Sequence, residues 1–388
     1  MKKPVVVYIA GERQHAGKTV TSLGIISALC KLIDPKDIGY FKPVGQEMVT
    51  LESGERIDKD VRIVQEFTDL DMPNLGLLSP VRVGDGVTRD YLACDYPAKR
   101  TEGYEKAIAQ TMKHLSQKKL IIAEGTGHPG VGSVVGLSNA RVANLLNAKI
   151  LYLVGGGVGK PLDELEVDLS YFSHKQCRVS GILFNKVLPN KTDMMKEVLP
   201  ERVINRIFTE WDPALKIFGY MPQVKYLNNP SMQLISSSFK TCRLLNEQNE
   251  ERWHRPCRKV NVVSQGSESF IAEEHLEARD IAVLGAGSHR RLQRILDFDR
   301  SLKMDHLGGI ILNCANDRMP DETAQAMIEK SGIPTLVVPD DAGAVDQTLY
   351  KSFVNTKLQL YDRQKHLEIE QLFAEHFDAE RFIRTMGL

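Results

Sequence analysis

The stretch Val5-Val6-Val7-Tyr8-Ile9-Ala10-Gly11-Glu12-Arg13-Gln14-His15-Ala16-Gly17-Lys18-Thr19 decides the fold. A short apolar, β-branched run breaks into a loop bounded by Gly11 and Gly17, and Lys18-Thr19 follow. Apolar residues at Val20, Leu23, Ile25, Ile26 and Leu29 then mark a helix. Strand, glycine loop and helix in this order are the setting that a phosphate-binding loop requires. The backbone N–H groups of such a loop can point at phosphate oxygens, and the helix N-terminus adds positive potential. Gly11, Gln14, His15, Ala16, Gly17, Lys18, Thr19 and Val20 are therefore the expected nucleotide-binding residues. Lys18 would reach the outer phosphates, and Thr19 would offer its hydroxyl to Mg²⁺. The spacing departs from the common Gly-x4-Gly-Lys-Thr form, because Glu12 stands where the first glycine would fall. The alternative reading is a glycine-containing turn with a solvated lysine.

Outward from this loop, short apolar strands alternate with helical patterns. Strands are expected at Asp37–Val44, Lys119–Glu124, Ile150–Val154, Val179–Lys186 and Lys216–Tyr220. Helices are expected near 60–64, 101–117 and 138–146. Such alternation implies an α/β fold with a mostly parallel sheet and helices on both faces. Ligands of these sheets bind at the carboxyl ends of the strands. Lys42, Glu124, the glycine run Gly155–Gly157 and Asn185 all fall at such ends. Glu124 closes an apolar strand, and a carboxylate buried there needs a partner. The alternative reading of Lys42 is a solvated surface lysine, and that of Asp60 a helix cap.

Past Pro222 the texture changes. Met232–Leu245 reads as helix, and Asn246–Lys259 as an exposed, charge-rich loop. Strands then resume at 260–263, 280–284, 308–313 and 335–338. Helices are expected between them, at Ser267–His275, Leu292–Leu296 and Asp321–Lys330. This is a second, smaller α/β unit. A helical tail follows, with Leu367, Leu372, Phe373 and Phe377 forming an apolar stripe expected to pack on the protein itself.

The whole chain of 388 residues is long enough for two domains. Its formal net charge of zero gives no hint of nucleic acid or an anionic membrane as a partner. The start Met-Lys-Lys-Pro runs straight into a strand without a secretory core, and no apolar run is long enough to span a bilayer. The six cysteines are scattered without a Cys-x-x-Cys pair, which argues against a zinc ribbon and for a reducing, cytoplasmic setting.

Four motifs in order carry a family resemblance: Gly11-x5-Gly17-Lys18-Thr19, Phe41-Lys42-Pro43-Val44, Glu124-Gly125-Thr126-Gly127 and Gly181-Ile182-Leu183-Phe184-Asn185-Lys186. Together they resemble dethiobiotin synthetase, a P-loop NTPase, over residues 3–222. The same architecture begins the ligase-type cobyrinic acid a,c-diamide synthases and the long bacterial phosphotransacetylases. The whole chain is most similar to the N-terminal region of the latter, where a DRTGG domain follows. The resemblance implies a dethiobiotin synthetase-like domain over 1–222, a DRTGG-like domain over 223–350 and a helical tail over 351–388. It implies ATP and Mg²⁺ as cofactors. Lys18 would sit on the β/γ-phosphates, with Thr19, Asp60 and Glu124 as metal ligands and Asp58 as the alternative to Asp60. Lys42 would stabilise charge on the transferred phosphoryl group, making Lys18 and Lys42 the catalytic pair. Asn185 would hydrogen-bond adenine, and the chain would pair as a homodimer.

There are departures. The loop Gly125–Ser133 is longer than the family's glycine turn, and its diaminopelargonate contacts are not identifiable. His128 is the one group in that loop able to titrate near neutrality, as a substrate contact or as a solvated histidine. Gly285-Ala286-Gly287-Ser288-His289 stands where the DRTGG signature would fall. A glutaminase reading fails, since Cys314 is followed by Ala315-Asn316-Asp317-Arg318 and not by a glycine-flanked elbow. Two classes of function stay open: a ligase-like phosphotransferase acting on a small carboxylate or carbamate, and a nucleotide-responsive regulator with little catalysis. A less favoured third is a subunit that completes a separately encoded short phosphotransacetylase.

Overall fold

The computed structural model describes residues 3–388 except 85, 212–213, 264–268, 304 and 315–318. The first two residues of the expected helix Ser267–His275 and the segment Ala315–Arg318 therefore lie outside the described residues. The chain divides into two compact units, one of residues 1–223 with 363–388 and one of residues 224–362.

The first unit is built on a six-stranded parallel sheet. Its strands are β1 (Val5–Gly11), β2 (Ile38–Phe41), β3 (Leu120–Glu124), β4 (Lys149–Gly155), β5 (Val179–Val187) and β6 (Lys216–Pro222). Their order across the sheet is β6-β5-β4-β1-β3-β2. Every neighbouring pair is parallel. Such strands are covered on both faces, so they read as unbroken apolar runs without alternation. Val7, Ile9, Ile122, Ala123, Leu151 and Leu183 are accordingly sealed from solvent. The chain leaves β1 toward the β2 edge, fills β3 between, and then crosses to β4 on the other side of β1. That reversal opens a crevice above the carboxyl ends of β1 and its neighbours, where open α/β sheets bind ligands.

Helix α1 (Lys18–Cys30) follows the glycine loop directly. It is buried nearly all round, a pattern that requires cover on both sides. The far side is covered by the C-terminal helix Arg363–His376: a Cβ on Gly24 would overlap the Phe373 ring, and Ser27 Oγ donates to Glu370 at 2.9 Å. The expected tail is thus divided. The helix Ala342–Val354 lies in the second unit, and residues 363–388 return to the first. Of the apolar stripe, Leu372, Phe373 and Phe377 are buried, whereas Leu367 points outward.

The second unit holds a five-stranded sheet of β7 (Arg243–Leu245), β8 (Val260–Val262), β9 (Ile281–Gly285), β10 (Gly309–Asn313) and β11 (Thr335–Val338). The order is β7-β11-β10-β9-β8, with only β7 antiparallel to its neighbour. Two sequence expectations are corrected here. The helix expected over Met232–Leu245 ends at Ser236, and Arg243–Leu245 pairs with β11 as an edge strand. The Ser236-Ser237-Ser238 run offers hydroxyls that compete for helix carbonyls, and Ser236 and Ser237 bond back in this way. The stretch expected as an exposed loop contains the helix Glu250–His254, whose Trp253 is buried and donates to Asn246 O at 2.8 Å. None of the six cysteines forms a disulfide. Among the described residues, no helix is long and apolar enough to cross a membrane.

Candidate functional site

The glycine loop turns at the carboxyl end of β1, in the crevice. Gly17 caps α1 with φ of 95°, which a side chain would strain, and its Cβ would stand 2.6 Å from Asn185 Nδ2. No side chain caps α1, and its first turn carries no acid. The helix N-terminus is left for an external anion. Gln14 and His15 lie on the exposed rim of the loop, while Ala16 is buried. Val20 is half-buried in the first turn of α1. Glu12 turns away from the cradle and accepts from Gly155 N at 3.1 Å. This explains how a carboxylate is tolerated where a glycine is usual.

Lys18 is nearly sealed, with 7% of its surface exposed. Its ammonium donates to two carbonyls, Arg13 O at 2.9 Å and Gly127 O at 3.1 Å. Burial first, then the neighbouring Lys42 ammonium, push it down to about 8. A buried cation held on carbonyls, with no carboxylate among its hydrogen-bond partners in the described residues, is short of negative charge.

Beside it stands a compact charge cluster. Lys42, at the turn after β2, donates to Asp60 Oδ2 at 2.7 Å, Glu124 Oε1 at 2.8 Å and Gly125 O at 3.3 Å. Burial would lower the Lys42 ammonium, but the Asp60 and Glu124 charges outweigh it and hold it well above the usual lysine range. Burial likewise opposes ionisation of Asp60, yet Lys42 holds its carboxyl below the ordinary value. Thr19 Oγ1 lies 3.1 Å from Asp60 Oδ1 and 2.9 Å from Glu124 Oε1. One hydroxyl proton can serve only one of these carboxylates at a time. Three oxygens therefore converge with fewer protons than they can accept, and a hard divalent cation suits such a set.

Asp58 and Asp60 separate cleanly. Asp58 caps the helix Lys59–Phe67, accepting from Asp60 N at 2.9 Å and Gln46 N at 3.0 Å. Burial, then the Asp60 charge, raise it to about 7. Asp60, two residues further in, faces Thr19 and Lys42. Asn185 is half-buried beside the glycine loop: its Nδ2 donates to Ala16 O at 2.8 Å and its Oδ1 accepts from Lys186 N at 2.9 Å. His128 is exposed, and its Nδ1 accepts from Gly130 N at 3.2 Å within its own loop.

Sequence reasoning missed Ser22 and Tyr40. Ser22 Oγ and Tyr40 OH donate to Glu124 Oε2 at 2.8 and 2.9 Å, leaving Oε1 for Thr19 and Lys42. A hydroxyl on the strand preceding Lys42, and another one turn along α1 from Lys18, were the available signals. Asn139 was missed as well. No local pattern marks it, because its partners are 11 to 131 residues away.

Residues 6–231 match the family model described as an AAA domain, AAA_26. The chain belongs to that family. A similar curated protein is the phosphate acetyltransferase of Synechocystis sp. (strain ATCC 27184 / PCC 6803 / Kazusa), 24% identical over 210 residues, which are 52% of this chain and 28% of that protein. The AAA-domain chain thus spans less than a third of that relative's length. Similar solved structures include the MinD cell division protein of Aquifex aeolicus, at 16% identity and a TM-score of 0.35, covering 58% of this chain and 84% of that one. Another is the CBS and DRTGG domains of the regulatory region of Clostridium perfringens pyrophosphatase with its activator diadenosine tetraphosphate, at 18% identity and a TM-score of 0.26, covering 39% and 56%. The sequence resemblance thus reaches the P-loop family of the AAA_26 model.

Proposed function

We propose that this chain binds ATP with Mg²⁺ at its glycine loop and performs ligase-like phosphoryl transfer to a small carboxylate or carbamate. The observation that carries the reading is Lys18, a buried ammonium held, among the described residues, by two carbonyl oxygens at the mouth of an uncapped helix N-terminus. Phosphate oxygens would satisfy both features at once. Thr19, Asp60 and Glu124 would hold Mg²⁺, which when bound supplies charge neutralisation on the phosphates. Lys42 is kept charged by the two carboxylates, and so is ready to stabilise negative charge on a transferring group. Asn185 would approach the base with the Nδ2 hydrogen that Ala16 does not use. The acceptor oxygen would attack the γ-phosphorus as the bond to ADP breaks, giving a mixed anhydride. A two-fold homodimer, as in the family that the sequence resembles, would complete the acceptor site.

A second reading is a regulator with little turnover. It is favoured by the separate α/β unit of residues 224–362 and by a relative in which the matched region is only 28% of the protein. Calorimetry of ATP and Mg²⁺ binding to the wild type and Lys18→Ala tests the site. Unchanged affinity in the variant would overturn it. ATP turnover with and without small carboxylates and diamines separates the readings: acceptor-stimulated turnover supports transfer, and tight binding without it supports regulation.

A further inference from the structure

Asn139 opens the helix Asn139–Leu145 and is 3% exposed. Its neighbour Ser138 already caps that helix, accepting from Arg141 N at 3.1 Å. The amide of Asn139 is therefore free to work elsewhere, and all of it is used. Oδ1 accepts from Tyr8 OH on β1 at 2.7 Å and from Thr126 N at 2.9 Å. Nδ2 donates to Thr126 O at 2.5 Å and to His128 O at 2.6 Å. Two acceptor positions and two N–H groups are the full capacity of an amide side chain.

The residue between those two carbonyls is Gly127, at φ of 64°. Its own carbonyl accepts from Lys18 Nζ at 3.1 Å. A lysine ammonium is a point charge on a flexible stem, with three donors that rotate freely. Here Arg13 O and Gly127 O take two of them and leave the third direction defined. Arg13 O belongs to the glycine loop itself. Gly127 O comes from the loop after β3, whose carbonyl directions are set by the Asn139 clamp.

We propose that Asn139 is the positioning residue for the phosphate lysine: it fixes Thr126 and His128, thereby the Gly127 carbonyl between them, and through that carbonyl the direction of the Lys18 ammonium. The proposal rests on the nucleotide reading above. Its physical content is preorganisation: a donor already aimed loses little freedom when phosphate arrives. An aspartate at 139 would keep both acceptor contacts, to Tyr8 and Thr126 N, but would set a charged oxygen against the Thr126 and His128 carbonyls.

The test is a double-mutant cycle on the full chain, read as ATP affinity in Mg²⁺ by calorimetry. Asn139→Ala should weaken ATP binding roughly tenfold in the wild-type background and less than about twofold in Lys18→Ala, because a residue acting through Lys18 has nothing left to position. Asn139→Asp, nearly the same in shape, should repeat the pattern if the alanine variant folds poorly. Tyr8→Phe removes a bond on the side away from the loop and should leave affinity within about twofold. Amide exchange over residues 126–133 without nucleotide should rise in both Asn139 variants. If the losses from Asn139 and Lys18 add, or loop exchange is unchanged, the positioning role is overturned while the nucleotide site stands. If the wild type fails to bind ATP, the nucleotide reading falls and this role with it.

Discussion

Replacing Lys42 by methionine keeps the length of the side chain and deletes its charge. The lost ammonium holds Asp60 at 2.7 Å and Glu124 at 2.8 Å, and Glu124 is wholly buried. Removing one partner from a buried ion pair costs about 3–5 kcal/mol, because the other charge is left without compensation. Two features place this site at the lower end. Glu124 keeps three hydroxyl neighbours, Thr19, Ser22 and Tyr40, and Asp60 is a quarter exposed. The expected loss is then about 3 kcal/mol. In a unit of this size each kcal/mol moves the melting temperature by about 2–4 °C, so the shift should be roughly 6–12 °C. Mg²⁺ should reverse part of it in Lys42→Met, since a divalent cation on Thr19, Asp60 and Glu124 restores the missing positive charge and binds only the folded chain. Thermal melts of both proteins in EDTA and in excess Mg²⁺ read this directly. A variant that melts within about 2 °C of the wild type in EDTA, or that ignores Mg²⁺, would refute the charge accounting and with it the assigned metal ligands.

Four further outcomes are expected. ATP affinity should fall as pH rises through about 8, where the lowered Lys18 ammonium loses its proton; a flat profile from pH 7 to 9.5 by titration would count against Lys18 as the phosphate contact. The same shift makes the folded state bind fewer protons than the unfolded chain between about 8 and 10.5, so Lys18's contribution to stability should grow with pH across that window. Asp58→Ala should cost about 1–2 kcal/mol through loss of the helix cap while keeping Mg²⁺-dependent ATP binding, whereas Asp60→Ala should lose that dependence; equal effects in calorimetry would undo the distinction. Gly24→Ala should destabilise the first unit by about 1–3 kcal/mol, because its methyl meets the Phe373 ring, and a neutral denaturation midpoint would show that the C-terminal helix does not seal α1.

The glycine loop, the parallel sheet and the carboxyl-end location of the site were legible because each rests on local chemistry. Unbroken apolar runs signal strands covered on both faces, and Gly17-Lys18-Thr19 before an apolar helix signals a phosphate cradle. Lys42 and Glu124 could be singled out because one directly follows a strand and the other ends one. The sequence left Asp58 and Asp60 open, since two carboxylates two residues apart look alike until the backbone turns. The fold makes one a cap and turns the other toward Thr19. Ser22 and Tyr40 were invisible as partners of Glu124, because 102 and 84 residues separate them from it and only packing β2, β3 and α1 together brings them within hydrogen-bond reach. Asn139 is the extreme case: its amide joins β1 to a loop 13 residues before it, and no local spacing encodes that. The helix that seals α1 comes from residues 363–376, after an entire second unit has intervened. Local preferences decide which elements form. Which polar side chains are satisfied by which others is decided only when those elements close on one another and buried groups must find partners.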